Sequence, residues 1–217
     1  MAVLAASEIR RRIRSAQEDR LTITPLLNED EQVRGASVDV RLGNYFISFV
    51  RGKKGYFNPK EMQTMSDIFE TNQEIYVPYL KSFILHPRQF VIGGTLEYFG
   101  LPTDLSAFVV GRSSWGRLGL VVATAIGVHP RYHGIITLEL TNLGEVPIHL
   151  YPGWPIAQVF FQTILADPNC PVKGCDLDNS RYSLAVKPEM SRLVEPEDLK
   201  RLEEAINKRS YGDPIKS

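Results

Sequence analysis

The stretch Gly134-Ile135-Ile136-Thr137-Leu138-Glu139-Leu140-Thr141-Asn142 alternates apolar and polar residues over most of its length. A period of two is that of a β-strand with one face in a core. Ile136, Leu138 and Leu140 take the core face, and Ile135, Thr137, Glu139 and Thr141 share the other. Glu139 is the only charge in the strand. A lone carboxylate among apolar neighbours is placed to move protons near neutral pH. A solvent-facing strand glutamate is the plainer reading of the same residue.

Short β-rich runs surround this strand, at 107–110, 119–122, 148–150 and 156–162. Glycine-containing turns separate them at the spacing of an all-β sandwich or barrel. Upstream, runs at 74–77, 82–85 and 90–96 are punctuated by Pro78, Pro87 and Pro102. Residues 37–42 alternate and run into a Gly43-Asn44 turn, with Val38, Val40 and Leu42 facing one way and Asp39 and Arg41 the other. Residues 21–25 read as a short edge strand ending at Pro25. The expectation is a mainly β protein, a distorted barrel or jelly-roll-like core.

The ends differ from the centre. A helix is expected at the start, with Ser7 as N-cap and Ile9 and Ile13 on one face. Arg10 stands at the third helical position, so a capping box is absent. Within it, Ile9-Arg10-Arg11-Arg12-Ile13-Arg14 is a basic run, read as a solvated helix face. Residues 53–72 have weak periodicity, so 50–75 is taken as an insertion or long loop carrying a short helix near 61–68. In the tail, Pro196 starts a charged helix with a Leu199, Leu202, Ile206 stripe. The expected organisation is a domain over 1–193 and a helical extension over 194–217.

Composition narrows the partners. The 217 residues carry 25 Lys plus Arg against 25 Asp plus Glu. Zero net charge argues against a chain that tracks a nucleic-acid backbone. With 43% hydrophobic and 10% aromatic residues, whole-chain disorder is excluded. The longest uncharged apolar stretch, 118–128, is far shorter than the ~20 residues a membrane span needs, and no signal peptide is evident. Two cysteines, Cys170 and Cys175, do not make a disulfide scaffold, and a reduced, cytoplasmic setting is expected.

Two further segments carry chemistry. Gly111-Arg112-Ser113-Ser114-Trp115-Gly116-Arg117-Leu118-Gly119-Leu120 holds two hydroxyls and two guanidiniums within six residues. Arginine forks, hydroxyls and turn amides suit a polyphosphate; a capped turn with surface arginines is the equal reading on composition. Pro152-Gly153-Trp154-Pro155-Ile156-Ala157-Gln158 is a turn feeding an apolar strand that holds one amide. Gln158 there needs partners, backbone or ligand.

In this order the segments carry a resemblance. Ala36-Ser37-Val38-Asp39-Val40-Arg41-Leu42-Gly43, then Gly111-Arg112-Ser113-Ser114 with Arg117-Leu118-Gly119-Leu120, then Gly134 with Leu138-Glu139 and Asn142, then Pro152-Gly153 with Ile156 and Gln158, resemble the dCTP deaminase branch of the trimeric dUTPase superfamily. The resemblance covers roughly residues 3–193. It implies a dUTPase-type fold, a homotrimer with sites between subunits, and hydrolytic deamination of dCTP to dUTP and ammonia. Arg112, Ser113 and Ser114, with Trp115, Gly116 and Arg117, match the triphosphate turn. Glu139 matches the general acid/base, and Ser113 and Arg117 the residues that orient it and the attacking water. Thr137 and Leu138 fall where strand backbone reads the pyrimidine. Thr124, Ala125, His129, Gln158, Arg181 and Tyr182 fall at further nucleotide positions. Mg²⁺ is expected on the triphosphate, and no zinc.

The zinc deaminase pattern, His-x-Glu with Pro-Cys-x-x-Cys, does not occur in the sequence. Its histidines, His86, His129, His133 and His149, form no ligand cluster along the chain. The chain also departs from the family it resembles. Ile126 and Gly127 follow Thr124-Ala125 where many of these deaminases have His-Arg. His129 stands where an aspartate of the bifunctional members and true dUTPases is expected. Ala185, Val186 and Lys187 replace a Gln-Gln-Gly-like part of the tail. His129 and His133 read equally as contacts to a phosphate or another sugar and as an exposed turn. Two other functions fit the same residues: a non-catalytic nucleotide-binding or regulatory protein, which the altered tail favours, and a dUTP pyrophosphatase, against which His129 argues. Ser113, Arg117 and Glu139 together favour the deaminase.

Overall fold

The computed structural model describes residues 2–49, 72–123, 127–165 and 184–190. Met1–Phe49 with Gln73–Met190 forms one compact unit, and Val50–Asn72 with Ser191–Ser217 a second. The helix expected near 61–68 and the C-terminal helix of 194–217 lie outside the described residues.

The first unit is mainly β and is built as open sheets in place of a closed barrel. One sheet runs β5 (Asn72–Tyr76), β4 (Tyr45–Phe49), β7 (Phe90–Gly100), β11 (His133–Asn142) and β9 (Leu120–Val122), with β1 (Thr22–Thr24) also paired to β7. The other runs β10 (Gly127–Val128), β8 (Leu105–Gly111), β13 (Pro155–Thr163), β3 (Ser37–Arg41) and β2 (Val33–Arg34). A two-stranded ladder pairs β12 (Ile148–Leu150) with β6 (Phe83–Leu85). The pairings between these strands are antiparallel. Residues of both large sheets share one apolar core, in which Phe99 of β7 meets Phe161 of β13 with ring centroids 6.4 Å apart.

Alternation decides the faces. In β3, Val38 and Val40 are fully buried while Asp39 and Arg41 are half-exposed. In β11, Ile136, Leu138 and Leu140 are buried and Glu139 is exposed. β7 runs on to Gly100, four residues past its expected end, because β1 and the start of β11 pair with its final residues. Proline-free β4 between the Gly43-Asn44 turn and the expected insertion was not distinguished in sequence. Neither was α2 (Glu29–Gln32), whose Asn28 side chain accepts from Glu31 N.

Helix α1 (Ala6–Arg14) begins two residues earlier than expected. Ala5 is its N-cap, with no side-chain cap, and Ser7 lies inside the first turn. Its basic run is a solvated face only in part: Arg11 and Arg14 are exposed, and Arg12 is not. Arg12 is buried and bidentate to Asp104 at 3.1 and 2.6 Å, Arg11 binds Glu8 and Asp19, and Arg14 binds Glu29. The arginines are thus neutralised by acids. Hydrogen bonding to Arg11 is the main cause that holds the Glu8 carboxyl at about 2, with Arg12 adding to it against the cost of burial. The stability this carboxylate contributes is present above its ordinary value and is lost as pH falls toward 2. Replacing Arg12 removes charge-assisted bonds to a partly exposed partner, a loss of about 1–2 kcal/mol after screening. Arg12→Ala is expected to lower the thermal midpoint by about 2–8 °C, read by scanning calorimetry. An unchanged midpoint would show that Asp104 contributes nothing to docking α1.

Candidate functional site

Two groups of the expected residues stand on the two sheets. The first lies where β8 ends. Gly111 pairs with Ala157 of β13, and Arg112 is extended, with its N–H donating to Ile156 O at 3.2 Å. The chain then makes a single helical turn, Ser113–Gly116, closed by Arg117 N donating to Ser113 O at 3.0 Å. Trp115 is half-buried against the core, and its Nε1 donates to Pro155 O at 2.7 Å, which staples the turn to β13. Ser113, Ser114, Gly116 and Arg117 are exposed.

The exit from this turn is fixed by contact. Gly119 has φ +94°, and a Cβ there would lie 2.6 Å from Gly144 N. Leu143 N donates to Gly119 O, and the fully buried Asn142 ties the same loop through Gly144 N, Leu85 O and Val146 O. The Arg-Leu-Gly-Leu segment is thereby returned into β9, which pairs with the end of β11.

Arg112 does not stand alone. Its Nη1 lies 2.6 Å from Asp39 Oδ2. Gln158 Nε2 donates to Asp39 Oδ1 at 2.9 Å and to Ser37 Oγ at 3.4 Å. Gln158 and Asp39 are register partners across β13 and β3. The Nε2 of the strand amide thus has partners within the chain. Asp39 was not singled out in sequence as a site residue; the signal for it was its place on the outward face of β3. A guanidinium held on one edge by a carboxylate keeps its other N–H donors for an anion.

The second group is on β11. Thr137 and Glu139 share its outward face, and Leu138 is fully buried and pairs with Gly93. Glu139 O accepts from Ala123 N at 2.8 Å, so this residue's backbone points to the β9 side. Strand alternation turns the N–H and C=O of Thr137 to that same edge, beyond the end of β9. The tail runs beside them. Ala185 bridges Gly134 in parallel, Ile135 N donates to Ala185 O at 2.9 Å, and Glu189 N donates to Thr137 Oγ1 at 3.3 Å. Lys187 sits 4.4 Å over the Tyr45 ring and 3.6 Å from Glu74. The residues that replace the expected tail motif therefore form a strap along β11.

The turn before β11 leaves His129 exposed and His133 half-buried. Tyr132 between them donates from its hydroxyl to Ile135 O, and burial pushes that hydroxyl's pKa up. Among the described residues no hydrogen bond or ion pair joins Glu139 to Ser113 or Arg117. Thr124, Ala125, Arg181 and Tyr182, with Cys170 and Cys175, lie outside the described residues. Among those described, no helix is long and apolar enough to cross a membrane.

Comparison with known proteins adds a family. Residues 3–164 match the family model described as dCTP deaminase-like. A protein of Methanobrevibacter smithii named "dCTP deaminase, dUMP-forming" is 38% identical over 202 residues, covering 93% of this chain and 100% of its own. A "dCTP deaminase" of Natronomonas pharaonis is 39% identical over 192 residues, covering 88% of this chain and 94% of its own. The crystal structure of the Agrobacterium tumefaciens 2'-deoxycytidine 5'-triphosphate deaminase superposes with a TM-score of 0.54 at 24% identity over 76% of this chain. The match spans about half of that structure's chain, 49%, and the likeness is one of fold.

Proposed function

The chain belongs to the dCTP deaminase-like family, and from that premise we propose that it hydrolyses dCTP to dUTP and ammonia. The observation that carries the reading is Glu139, an exposed carboxylate on the outward face of a strand whose opposite face is core. Beside it, strand alternation puts the N–H donor and C=O acceptor of Thr137 on the same edge of β11 as those of Glu139. Such a pair is complementary to the donor–acceptor edge of a pyrimidine.

In the proposed reaction Glu139 takes a proton from water as its oxygen bonds to C4 of cytosine, and delivers that proton to N3. It then moves the second proton to the exocyclic amine. The C4–N4 bond breaks, ammonia leaves, and C4 keeps the oxygen as a carbonyl. Proton transfer of this kind contributes ~10²–10⁴-fold. Arg112, Ser113 and Ser114 hold the triphosphate, which brings Mg²⁺ as part of the substrate, and no zinc is assigned. Ser113 and Arg117 orient the water and Glu139 from a neighbouring subunit of a homotrimer, the arrangement closed cyclic symmetry allows. Their exposure, without a bond to Glu139 among the described residues, supports that division. Light scattering is expected to give about three times the 24.5 kDa chain mass. An active species of one chain's mass would remove the shared site.

A second product, dUMP, is favoured by the name of the Methanobrevibacter smithii relative. Against it stands exposed His129, at the position where the family resemblance expects an aspartate serving pyrophosphate release. The deciding experiment incubates the protein with Mg²⁺ and dCTP, CTP, dUTP or dCMP and separates the products by chromatography. Ammonia with dUTP is expected. Ammonia with dUMP and pyrophosphate would establish the second product, pyrophosphate from dUTP alone a pyrophosphatase, and binding without turnover a nucleotide-binding protein.

A further inference from the structure

Glu97 of β7 is fully buried and outside the motifs that mark the family, and none of the proposed chemistry uses it. A buried carboxylate costs several kcal/mol unless its oxygens are satisfied. They are satisfied from β3 and from α2. Oε2 accepts from Arg41 N at 2.8 Å, and Oε1 accepts from Gln32 Nε2 at 3.0 Å and from Arg41 Nη1 at 3.4 Å. Gln32 Nε2 also donates to Asp39 O at 3.2 Å. Burial raises the Glu97 carboxyl above its ordinary value, opposed by the Arg41 N–H and charge and by Gln32.

The two backbone groups caught are Asp39 C=O and Arg41 N–H, which point to the same edge of β3 because they are two residues apart. Along β3, β2 pairs with Ser37 and Val38, and β7 bridges Leu42 through Thr95. On the opposite edge, the ladder with β13 shifts register between Pro155 and Ala157, beside Arg41. The side chains of Glu97 and Gln32 therefore tie down β3 between the β2 and β7 pairings, at the residues flanking Val40. Glu97 is itself held in place, since Thr95 Oγ1 donates to Glu97 O at 2.7 Å and accepts from Ile136 N at 3.0 Å.

We infer that Glu97 and Gln32 are positioning residues for the phosphate clamp: they fix β3 so that the Asp39 carboxylate meets both Arg112 and Gln158. Side-chain direction in a strand reverses with each residue, so loosening this edge misdirects Asp39 before it unfolds the sheet. The inference rests on the reading of Arg112 as a phosphate ligand.

The test uses the full-length protein and the variants Glu97→Gln and Gln32→Ala. In Glu97→Gln one of two donors, Arg41 N–H or Gln32 Nε2, meets an amide NH₂. Gln32→Ala removes the donor to Asp39 O and leaves Glu97 on Arg41, so it carries the test if the first variant does not fold. Binding of Mg²⁺·dCTP and of inorganic tripolyphosphate is measured by calorimetry, with KM, kcat and the thermal midpoint alongside. Both variants are expected to weaken both ligands by about tenfold, the low end for a misplaced charged hydrogen bond, with the change in KM rather than kcat. Combined with Arg112→Ala, neither is expected to weaken binding further, because coupled residues are not additive. A lower thermal midpoint with unchanged dissociation constants, or additivity with Arg112→Ala, would overturn the inference while leaving the nucleotide reading intact. Wild-type protein that binds neither ligand would overturn both.

Discussion

Glu139→Gln is expected to bind dCTP as the wild type does and to lose deamination by at least ~10²-fold, the low end for a general acid/base. The amide keeps the size and polarity of the carboxylate but cannot take a proton from water and pass it to N3. The side chain is exposed, and the residue is held in place by its backbone, through Ala123 N and the register with Ile92. Exposed substitutions of this kind usually change stability by no more than about 0.5 kcal/mol, so a fall in turnover reports chemistry. Ammonia release gives the rate, and calorimetry with dCTP the binding. Turnover near wild type would remove Glu139 from the mechanism; loss of binding together with turnover would make it a substrate-positioning group.

Arg112→Ala is expected to weaken triphosphate binding about 10- to 150-fold and to leave nucleoside binding almost unchanged. Loss of a hydrogen bond to a charged group costs ~1.5–3 kcal/mol, at about 1.4 kcal/mol per decade of affinity. The fold is expected to tolerate the change. The Arg112 backbone bond to Ile156 O does not involve the side chain, and Asp39 keeps the donor of Gln158 at 2.9 Å. Titration with dCTP, dCMP and deoxycytidine in the presence of Mg²⁺ separates the phosphate contribution from the base. Equal losses for all three would reassign Arg112 to holding Asp39 and the β3–β13 pair.

Both predictions draw on residues visible in the sequence, and their structural contexts differ in origin. Val38, Val40, Ile136, Leu138 and Leu140 were assigned to the core, and Asp39, Arg41, Thr137 and Glu139 to the other face, from alternation alone. Side-chain direction in a strand is a local property of the backbone, so a nine-residue window contains it. The same is true of Gly119 and Gly153, whose positive φ values of 94° and 85° fall in turns marked by glycine. Other features have no local signal. Residue type alone predicts Ser7 as the N-cap, yet the helix starts at Ala6, where Ala6 N donates to Gly35 O at 2.7 Å. The tertiary contact decides that end.

The sequence by itself determined most of the strands and which way their side chains face, and it supplied the residues proposed to hold phosphate and move a proton. Only the tertiary structure decided who meets whom. Asp39 reaches Arg112 and Gln158 across sequence separations of 73 and 119, and Arg12 reaches Asp104 across 92. It turned a run of arginines that reads as a basic face into a set of ion pairs, opened the sheets where a closed barrel was one expectation, and gave buried Glu97 its partners. The physical reason is that strand pairing and the burial of a charge depend on neighbours brought in from distant segments, whereas face and turn are written into each strand's own period of two.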